Sequence, residues 1–389
     1  MVAFKLAYRN LTGAGLRTWL NVIVLSFAFF IIIFLNGIID GWNRQARKDT
    51  MNWETGNGQL WHRDFDRYDP YTFQDAHAPV NEDVMHFVKD NILTPVLVTQ
   101  ATIYPHGRME SVILKGIDPD QKILSLPTSL LLSTDDDIPA IIGKRMSSLT
   151  DLKKDDLLLV RWRDKNGTFD AVELRVAGVF DCNVPTVDNG QVWIALDKLQ
   201  KMTGLFGEVS FFIVGKLYTS GDYAGWKYKD SGFLLSDLDK IIRSKKIGQS
   251  IIYLLLLCIA LLAIFDTQVL SIFRRQKEIG TYIALGMTRY QVVGIFTVEG
   301  AAHSILAIIF GAIYGVPFLL LLNKTGIPMP AAGGDMGISI AERIFPVYSI
   351  GLLTFSVLLV VLTATIVSYL PAKKIAKMNP TDALKGKLQ

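Results

Sequence analysis

Four long apolar runs interrupt an otherwise mixed sequence, and they organise the whole chain. The runs cover residues 20–40, 247–272, 291–322 and 347–370. As α-helices rising about 1.5 Å per residue, each is long enough to cross a hydrocarbon layer of about 30 Å. The pattern therefore predicts an integral membrane α-helical protein with four transmembrane helices.

Residues 41–246 have a different pattern, with charges of both signs, Pro, Gly and short runs rich in β-branched and aromatic residues. The sequence Asn166-Gly167 between two such runs is a strong hairpin signal. The segment is long enough to bury its own core, so we predict a large α+β domain inserted between helices 1 and 2. The predicted strands are 94–104, 110–117, 157–162, 171–179, 191–194 and 209–215, and the predicted helices are 81–89 and 196–202.

The charge of the remaining segments predicts the orientation. Residues 1–19 are basic and amphipathic, which is typical of a helix lying in the membrane interface. The loop 273–290 and the tail 371–389 are also basic, whereas the short loop 323–346 is balanced. By the positive-inside rule, the three basic segments lie in the cytoplasm and the large domain lies outside. A cleaved signal peptide is disfavoured, because the first apolar run is too long and no A-x-A site follows it.

Composition limits the remaining possibilities. Half of the 389 residues are hydrophobic, and a net charge of +4 is too small to indicate nucleic acid as a partner. Cys182 and Cys258 do not form a disulfide framework and are interpreted as unpaired small hydrophobic residues. Trp61, Trp162 and Trp193 are interpreted as core or strand-face residues rather than a binding box.

The motifs of common enzymes do not occur in this sequence. It contains no G-x-x-x-x-G-K-[ST] phosphate loop, no His/Cys/Asp cluster at metal-ligand spacing and no nucleophile elbow. We therefore predict that the chain is not an enzyme, that it holds no metal or cofactor, and that it does not bind ATP through a phosphate loop.

The loop between the second and third runs, Arg274–Tyr290, carries the strongest local signals. A basic cluster is followed by apolar residues at helical spacing. Gly286 stands where a left-handed residue would end a helix, and Thr288-x-x-Gln291 has the spacing of a capping box for the next one. We predict a short capped helix that docks a cytoplasmic partner, with an apolar face formed by Ile279, Ile283 and Leu285.

Three ionisable residues lie inside the apolar runs: Asp266 in the second, and Glu299 and His303 on one face of the third. Such groups are costly in hydrocarbon and usually face a bundle interior or a cavity. A polar pathway is one interpretation. The favoured one is structural: Asp266 reaches the headgroups, and Glu299 bonds His303 or a neighbouring helix. A Glu-x-x-x-His metal site is a more distant alternative.

The loop sequence R-x-x-E-I-G-x-x-x-A-L-G resembles the coupling-helix motif of the FtsX/MacB-type permease family, the membrane subunits of one class of ABC transporters. The matching positions are Arg275, Glu278, Ile279, Gly280, Ala284, Leu285 and Gly286. Val298-Glu299-Gly300 resembles the V-E-G of the family's third span. The stretch from Leu370 to Leu384 resembles its P-A-x-x-A-x-x-x-P-x-x-A-L-R ending. The four-span layout is also similar.

Within this family, the predicted outside domain is most similar to the lipoprotein-releasing LolC/LolE branch. The similar stretches are I-I-G-K at 141–144, L-K-K-D-D at 152–156, L-K-G-I-D-P at 114–119 and G-V-F at 178–180. Asp155 stands where that branch usually has glycine.

The resemblance implies a multi-pass protein of the bacterial inner membrane with both termini in the cytoplasm and a MacB-like periplasmic domain. It implies cytoplasmic ATP-binding subunits, which hold the ATP and Mg, and a second permease subunit that is either an identical copy or a homologue. Ile283 and the motif residues would form the docking helix. In the LolC/LolE branch, the cargo is a lipoprotein passed from the membrane to a periplasmic carrier. MacB-like efflux of drugs, haem or peptides, and FtsX-like mechanotransmission to cell-wall hydrolases, are the alternatives.

Overall fold

The computed structural model describes residues 16–133, 137–218, 221–223, 225–328 and 343–374. The predicted amphipathic helix, the middle of the 323–346 loop and the tail beyond residue 374 lie outside the described residues, as does most of the terminal motif. The helices are α1 (Leu16–Thr50), α2 (Glu82–Lys89), α3 (Lys144–Thr150), α4 (Pro185–Gly190), α5 (Leu196–Thr203), α6 (Ser231–Leu234), α7 (Ser236–Arg274), α8 (Gln276–Ala284), α9 (Arg289–Thr325) and α10 (Ile350–Ala372).

Among the described residues, four helices are long and apolar enough to cross a membrane: α1, α7, α9 and α10. Three predicted runs lie entirely within them. The fourth run begins slightly before its helix, because Ser349 caps α10 by accepting a hydrogen bond from the Leu352 N–H at 3.2 Å. Helices α1 and α7 extend beyond the apolar runs; α1 passes directly into a π-helical turn, Met51–Thr55.

The chain divides into two units, which we name by their secondary structure. The helical unit comprises Met1–Trp42, Ile242–Ile327 and Phe345–Gln389, and the sheet unit comprises Asn43–Ile241 and Pro328–Ile344. In the helical unit, the spanning helices share a core that includes Leu25, Phe29, Ala260, Ala307 and Ala364.

The sheet unit is built on a nine-stranded mixed sheet of order β11-β1-β10-β3-β4-β8-β5-β7-β6. An additional β3–β6 pairing closes six of these strands into a barrel. The strands are β1 (Gly58–His62), β2 (Ala78–Pro79), β3 (Leu93–Ile103), β4 (Glu110–Ile117), β5 (Ile138–Gly143), β6 (Leu157–Arg163), β7 (Phe169–Phe180), β8 (Gln191–Ala195), β9 (Glu208–Val209), β10 (Phe211–Val214), β11 (Trp226–Asp230), β12 (Ile327–Pro328) and β13 (Arg343–Ile344).

The barrel has two buried faces, and alternation along each strand divides the side chains between them. One core contains Leu114, Val160, Leu174 and Val192, and a second core contains Trp193 and other residues on the opposite face. Strand β4 therefore directs Leu114 to one core and the next residue, Lys115, to the other side.

Several predicted elements agree closely with the structure. β4 has the predicted bounds, and β6 and β7 form the predicted hairpin through Asn166-Gly167, where Gly167 has a φ of 83°. The predicted strand 209–215 is divided in two at Ser210, with β9 pairing β2 and β10 pairing β1 and β3.

Three strands of the main sheet were missed: β1, β5 and β11. β1 and β5 are almost entirely buried, so they lack the polar alternation that marks a half-buried strand. β11 is a short strand at the edge of the sheet, with Lys227, Lys229 and Asp230 among its five residues.

The interpretation of the tryptophans and cysteines is confirmed. Trp61, Trp162 and Trp193 are buried, and Trp162 donates its indole N–H to the Met202 carbonyl at 2.9 Å. Cys182 and Cys258 are both free. Burial raises the pKa of the Cys182 thiol to about 12, so this residue stays a neutral small side chain at physiological pH.

Asp155 adopts a φ of 72°. Glycine adopts this left-handed conformation more readily than any other residue.

Candidate functional site

The short helix α8 ends as the sequence predicts. It ends just before Gly286, which has a φ of 97°, and the Met287 N–H donates to the Tyr282 carbonyl at 3.0 Å. This bond pairs a carbonyl that the end of a helix leaves open. Thr288 and Gln291 then form both hydrogen bonds of the predicted capping box at the start of α9. The loop therefore contains a short helix bounded by two sharp turns.

One side of α8 packs against its own helical unit. Ile279 has no exposed surface, and Gly280 is buried beside it. Ile283 is half-buried against the same cluster, whose other members are Ile272, Tyr282, Met287, Val292, Val293, Phe296 and Ala372. The expectation that Ile279, Ile283 and Leu285 form one partner-facing surface is therefore wrong for Ile279, because this chain itself covers that side chain.

The opposite side of α8 and the turn after it are exposed, and we call this surface the loop tip. Leu285 and Tyr290 are 79% and 83% exposed. The other exposed residues of the tip are Lys277, Glu278, Thr281, Ala284, Gly286 and Arg289. Two large apolar side chains beside basic residues are typical of a surface that a protein partner covers.

Arg275 connects α8 to the third spanning helix. Its Nη1 lies 2.9 Å from Oε2 of Glu299 on α9, and its Nε lies 2.7 Å from Oε2 of Glu278 on α8. The side chains of Arg275 and Glu299 are only 17% and 7% exposed, and the guanidinium carbon lies 5.0 Å from the centre of the Phe296 ring. Charge-assisted bonds of this kind are strong and directional when they are shielded from solvent.

This contact brings two predicted site residues together. Arg275 bonds the Glu299 carboxylate, and His303 Nδ1 contacts the backbone carbonyl of Glu299 at 2.8 Å. Both contacts that the sequence predicts for Glu299, with His303 and with a neighbouring helix, are therefore present. The sequence offered one signal for the Arg275–Glu299 pair: a basic residue directly follows the second apolar run, and an acidic residue lies within the third.

Gly300, the neighbour of Glu299, marks a close approach between α9 and α10. A Cβ at this position would lie 2.0 Å from Ser368 Oγ and 3.3 Å from Gln268 Nε2. Only glycine fits here without displacing a neighbouring helix. The glycine of the V-E-G stretch therefore lets α7, α9 and α10 meet beside the Arg275–Glu299 pair.

Asp266 lies on the outer surface of α7, away from this pair. It is exposed in the middle of an apolar stripe with i, i+4 and i+7 spacing, formed by Leu255, Ile259, Leu262, Leu270 and Phe273. A carboxylate in such a stripe is costly in contact with lipid.

Among the described residues, no group of three or more His, Cys, Asp or Glu side chains could hold a metal ion. His303 contacts a backbone carbonyl, and Arg275 bonds the Glu299 carboxylate. The arrangement is that of a mechanical connection between a surface helix and a spanning helix.

The C-terminal part of the chain matches a known protein domain. Residues 250–380 match the model of the FtsX-like permease C-terminal domain. The matched region contains α8, the Arg275–Glu299 pair, Gly300 and the last three spanning helices.

Similar proteins are ABC transporter permeases. The chain is 30% identical over 145 residues, 37% of its length, to the permease YtrF of Bacillus subtilis. It is 31% identical over 131 residues, 33% of its length, to an uncharacterized ABC transporter permease of Methanocaldococcus jannaschii. It is 21% identical over 193 residues, 50% of its length, to the macrolide export ATP-binding/permease protein MacB of Wolinella succinogenes.

The matches cover 33%, 30% and 27% of those three relatives, so the chain spans a third of their length or less. Together with the four apolar helices and the sheet-rich domain, these findings support an ABC transporter permease of the FtsX/MacB type.

Proposed function

We propose that this chain is the permease subunit of an ABC transporter that uses cytoplasmic ATP hydrolysis to extract lipoproteins from the outer leaflet of the inner membrane for a periplasmic carrier. The observation that carries the coupling part is the Arg275 bridge, which joins α8 to the buried Glu299 of α9. The match of residues 250–380 to a permease domain supports the same role.

The bridge explains how force on the loop tip would reach the membrane helices. A partner that pushes on Leu285 and Tyr290 moves α8, and α8 cannot slide freely because Ile279 is fully buried against the helical unit. Arg275 then transmits the displacement to Glu299. Packed interfaces of this kind change by discrete shifts rather than by continuous deformation, so a small movement at the tip would switch the spanning helices.

The partner at the tip is an ATP-binding subunit in the cytoplasm, which would hold the ATP and Mg. The match of residues 250–380 to a permease domain supports an ATP-binding partner. With the basic loop inside, the positive-inside rule places both termini in the cytoplasm and the sheet unit in the periplasm.

A second permease subunit would cover the exposed stripe of α7. Asp266 lies within this stripe, where lipid would leave its carboxylate without polar contacts. A dimer partner, either a second copy or a homologue, supplies a protein surface in place of lipid. Membrane lipids would surround the remaining helix faces.

Two cargoes are proposed in order. Lipoproteins come first, because residues 114–119 and 141–144 of the sheet unit resemble the lipoprotein-releasing branch. Efflux of small amphiphiles comes second, because one relative is named a macrolide export protein.

The coupling proposal is tested with Leu285→Asp, which puts a charge on the loop tip. ATP-binding subunits that co-purify with the tagged chain are reconstituted with it, and ATPase turnover is measured. Leu285→Asp is expected to abolish stimulation by the permease while the chain stays in the membrane. The matched control is Leu217→Asp in the sheet unit, where the leucine is 82% exposed and the same substitution should leave turnover unchanged. Unchanged turnover in Leu285→Asp would remove the docking role of the tip.

The cargo proposal is tested in the native bacterium by depleting the chain and separating the inner from the outer membrane. Lipoproteins labelled in vivo are expected to be retained in the inner membrane. Normal lipoprotein sorting together with increased macrolide sensitivity would contradict lipoprotein release and favour the efflux alternative.

A further inference from the structure

The sheet unit contains a cavity of about 510 Å³, a volume typical of small-molecule sites. Its wall is mainly apolar and includes Phe65, Phe73, Val98, Ile113 and Phe211. Polar side chains from β4, α4 and the turn after α1 line another part of the wall. Nothing in the transport proposal uses this cavity.

The most unusual group in the wall is the ammonium of Lys115. The side chain is 7% exposed, and its Nζ lies 4.9 Å from the centre of the Trp193 ring, its register partner on β8. Within the part of the chain that the structure describes, no carboxylate lies within ion-pair distance of Lys115, and its Nζ makes no hydrogen bond. A buried ammonium normally has an anionic or hydrogen-bonding partner, because burial without one is costly.

The nearby carboxylate, that of Glu54, is occupied by neutral donors. Thr186 Oγ1 lies 3.1 Å from Glu54 Oε2, and Gln191 Nε2 lies 3.2 Å from Oε1. The other end of the Gln191 amide, Oε1, is buried and has no hydrogen-bond partner among the described residues. The Gln191 oxygen has no surface open to the cavity, so the wall offers one cation without an ion pair among the described residues, beside an apolar chamber.

The wall defines a ligand by its chemistry. An anionic oxygen would pair with Lys115, and a hydrocarbon chain would fill the apolar part. We propose that this cavity binds an acyl amphiphile whose headgroup carries a carboxylate. The inference goes beyond the proposed function, because binding requires neither a cargo pathway nor ATP.

Burial lowers the pKa of Lys115 to about 8, with the negative charge of Glu54 acting in the opposite direction. The ammonium is therefore mostly protonated at neutral pH and deprotonates as the pH rises above 8. Since only the protonated form attracts a carboxylate, affinity should be nearly constant below pH 7 and should fall above pH 8.

The test uses the full chain in lipid nanodiscs with N-dodecanoylglycine as the probe and its methyl ester as the uncharged match. A photoreactive diazirine analogue of the probe is crosslinked to the protein in the presence of increasing concentrations of the unlabelled acid or ester. Mass spectrometry then quantifies the adducts on the cavity peptides that contain Phe73 and Phe211. We expect the acid to compete at least tenfold better than the ester, and Lys115→Met to abolish this difference. The matched control is Lys201→Met, an exposed lysine of α5, which should behave like the wild type.

A second variant leaves the charge in place. Ile113→Trp enlarges a half-buried wall residue and should reduce cavity labelling at least tenfold while Lys115 remains. Thermal unfolding of each variant shows that it is folded. Equal competition by acid and ester in the wild type, or cavity labelling unaffected by both Lys115→Met and Ile113→Trp, would overturn the proposal. Because no ATPase is present, the result is independent of the coupling experiment.

Discussion

Arg275 of the helical unit and Lys115 of the sheet unit are both largely shielded from solvent, but their partners differ. In the helical unit, Arg275 reaches two carboxylates and lies over an aromatic ring. In the sheet unit, Lys115 lies over an aromatic ring but has no carboxylate within ion-pair distance among the described residues. The paired cation connects two helices, whereas the unpaired one remains available to a ligand. Burial alone therefore does not indicate the role of a charge; its partners do.

The side-chain types suit these roles. The guanidinium of Arg275 is planar, carries several N–H donors, and contacts Glu278 and Glu299 at once. The ammonium of Lys115 is a compact charge on a flexible stem, and its pKa responds readily to burial. Exchanging the two residue types would weaken both arrangements.

The largest expected effect comes from breaking the paired cation. Arg275→Met leaves the Glu299 carboxylate buried without its partner, which should lower the free energy of unfolding by about 3–5 kcal/mol. Glu278→Gln on the same arginine is the matched control, because Glu278 is 54% exposed and exposed pairs contribute about 1 kcal/mol or less. Chemical unfolding of the purified chain in detergent measures both. Equal losses of stability in the two variants would show that the Arg275–Glu299 pair contributes no more than the exposed Arg275–Glu278 pair.

Removing the unpaired cation should instead raise the free energy of unfolding. Lys115→Met removes a buried ammonium whose pKa is about 8 in the folded chain, compared with about 10.4 when unfolded. The unfolded chain binds more protons between these values, so wild-type stability rises with pH through this window and is lowest below it. The variant should be more stable by about 3 kcal/mol at pH 7.

This stability difference should disappear by about pH 10.5, above the pKa of both states. Unfolding measured at several pH values tests the pattern, with Lys201→Met as the exposed control. A Lys115→Met variant that is less stable than the wild type at pH 7 would show that the ammonium is already paired in the free protein.

A smaller effect should come from the helix crossing beside Glu299. Gly300→Ala places a methyl group 2.0 Å from Ser368 Oγ, so the packed helices must move apart, at a cost of about 1–3 kcal/mol. Gly294→Ala on the same helix has nothing within 4 Å of the added carbon and should be neutral or stabilising by up to about 1 kcal/mol.

The double variant Gly300→Ala/Ser368→Gly removes the obstructing side chain and should recover most of the stability lost in Gly300→Ala. Thermal unfolding of the four chains is the measurement. Equal effects of Gly300→Ala and Gly294→Ala would contradict the close approach.

Much of the architecture was predictable from local pattern. The apolar runs indicated the spanning helices, and the Asn166-Gly167 signal located the β6–β7 hairpin. Gly286 and the Thr288–Gln291 capping box bounded α8, because both are signals between residues close in sequence. Strands β1 and β5 escaped prediction because burial on both sides removed their alternation.

The candidate sites were less predictable, because they depend on contacts between distant segments. The sequence indicated that α8 has an apolar side, and the structure shows that Ile279 turns inward while Leu285 remains exposed. It indicated that Glu299 bonds His303 or a neighbouring helix, and the structure shows that the neighbouring residue is Arg275. Lys115 carried no functional signal, since a single lysine in a strand is ordinarily a solvated residue.

The sequence by itself determined which segments can enter a membrane, where α8 ends and α9 begins, and that a separate sheet-rich domain follows the first span. These properties depend on hydrophobicity and backbone preference within short stretches. Only the tertiary structure decided which charges are paired. Arg275 and Glu299 meet because α8 folds back against α9, and Lys115 is enclosed because β4, β8 and the turn after α1 converge around it. The energy of a buried charge depends on the surrounding atoms, and only the folded chain specifies those.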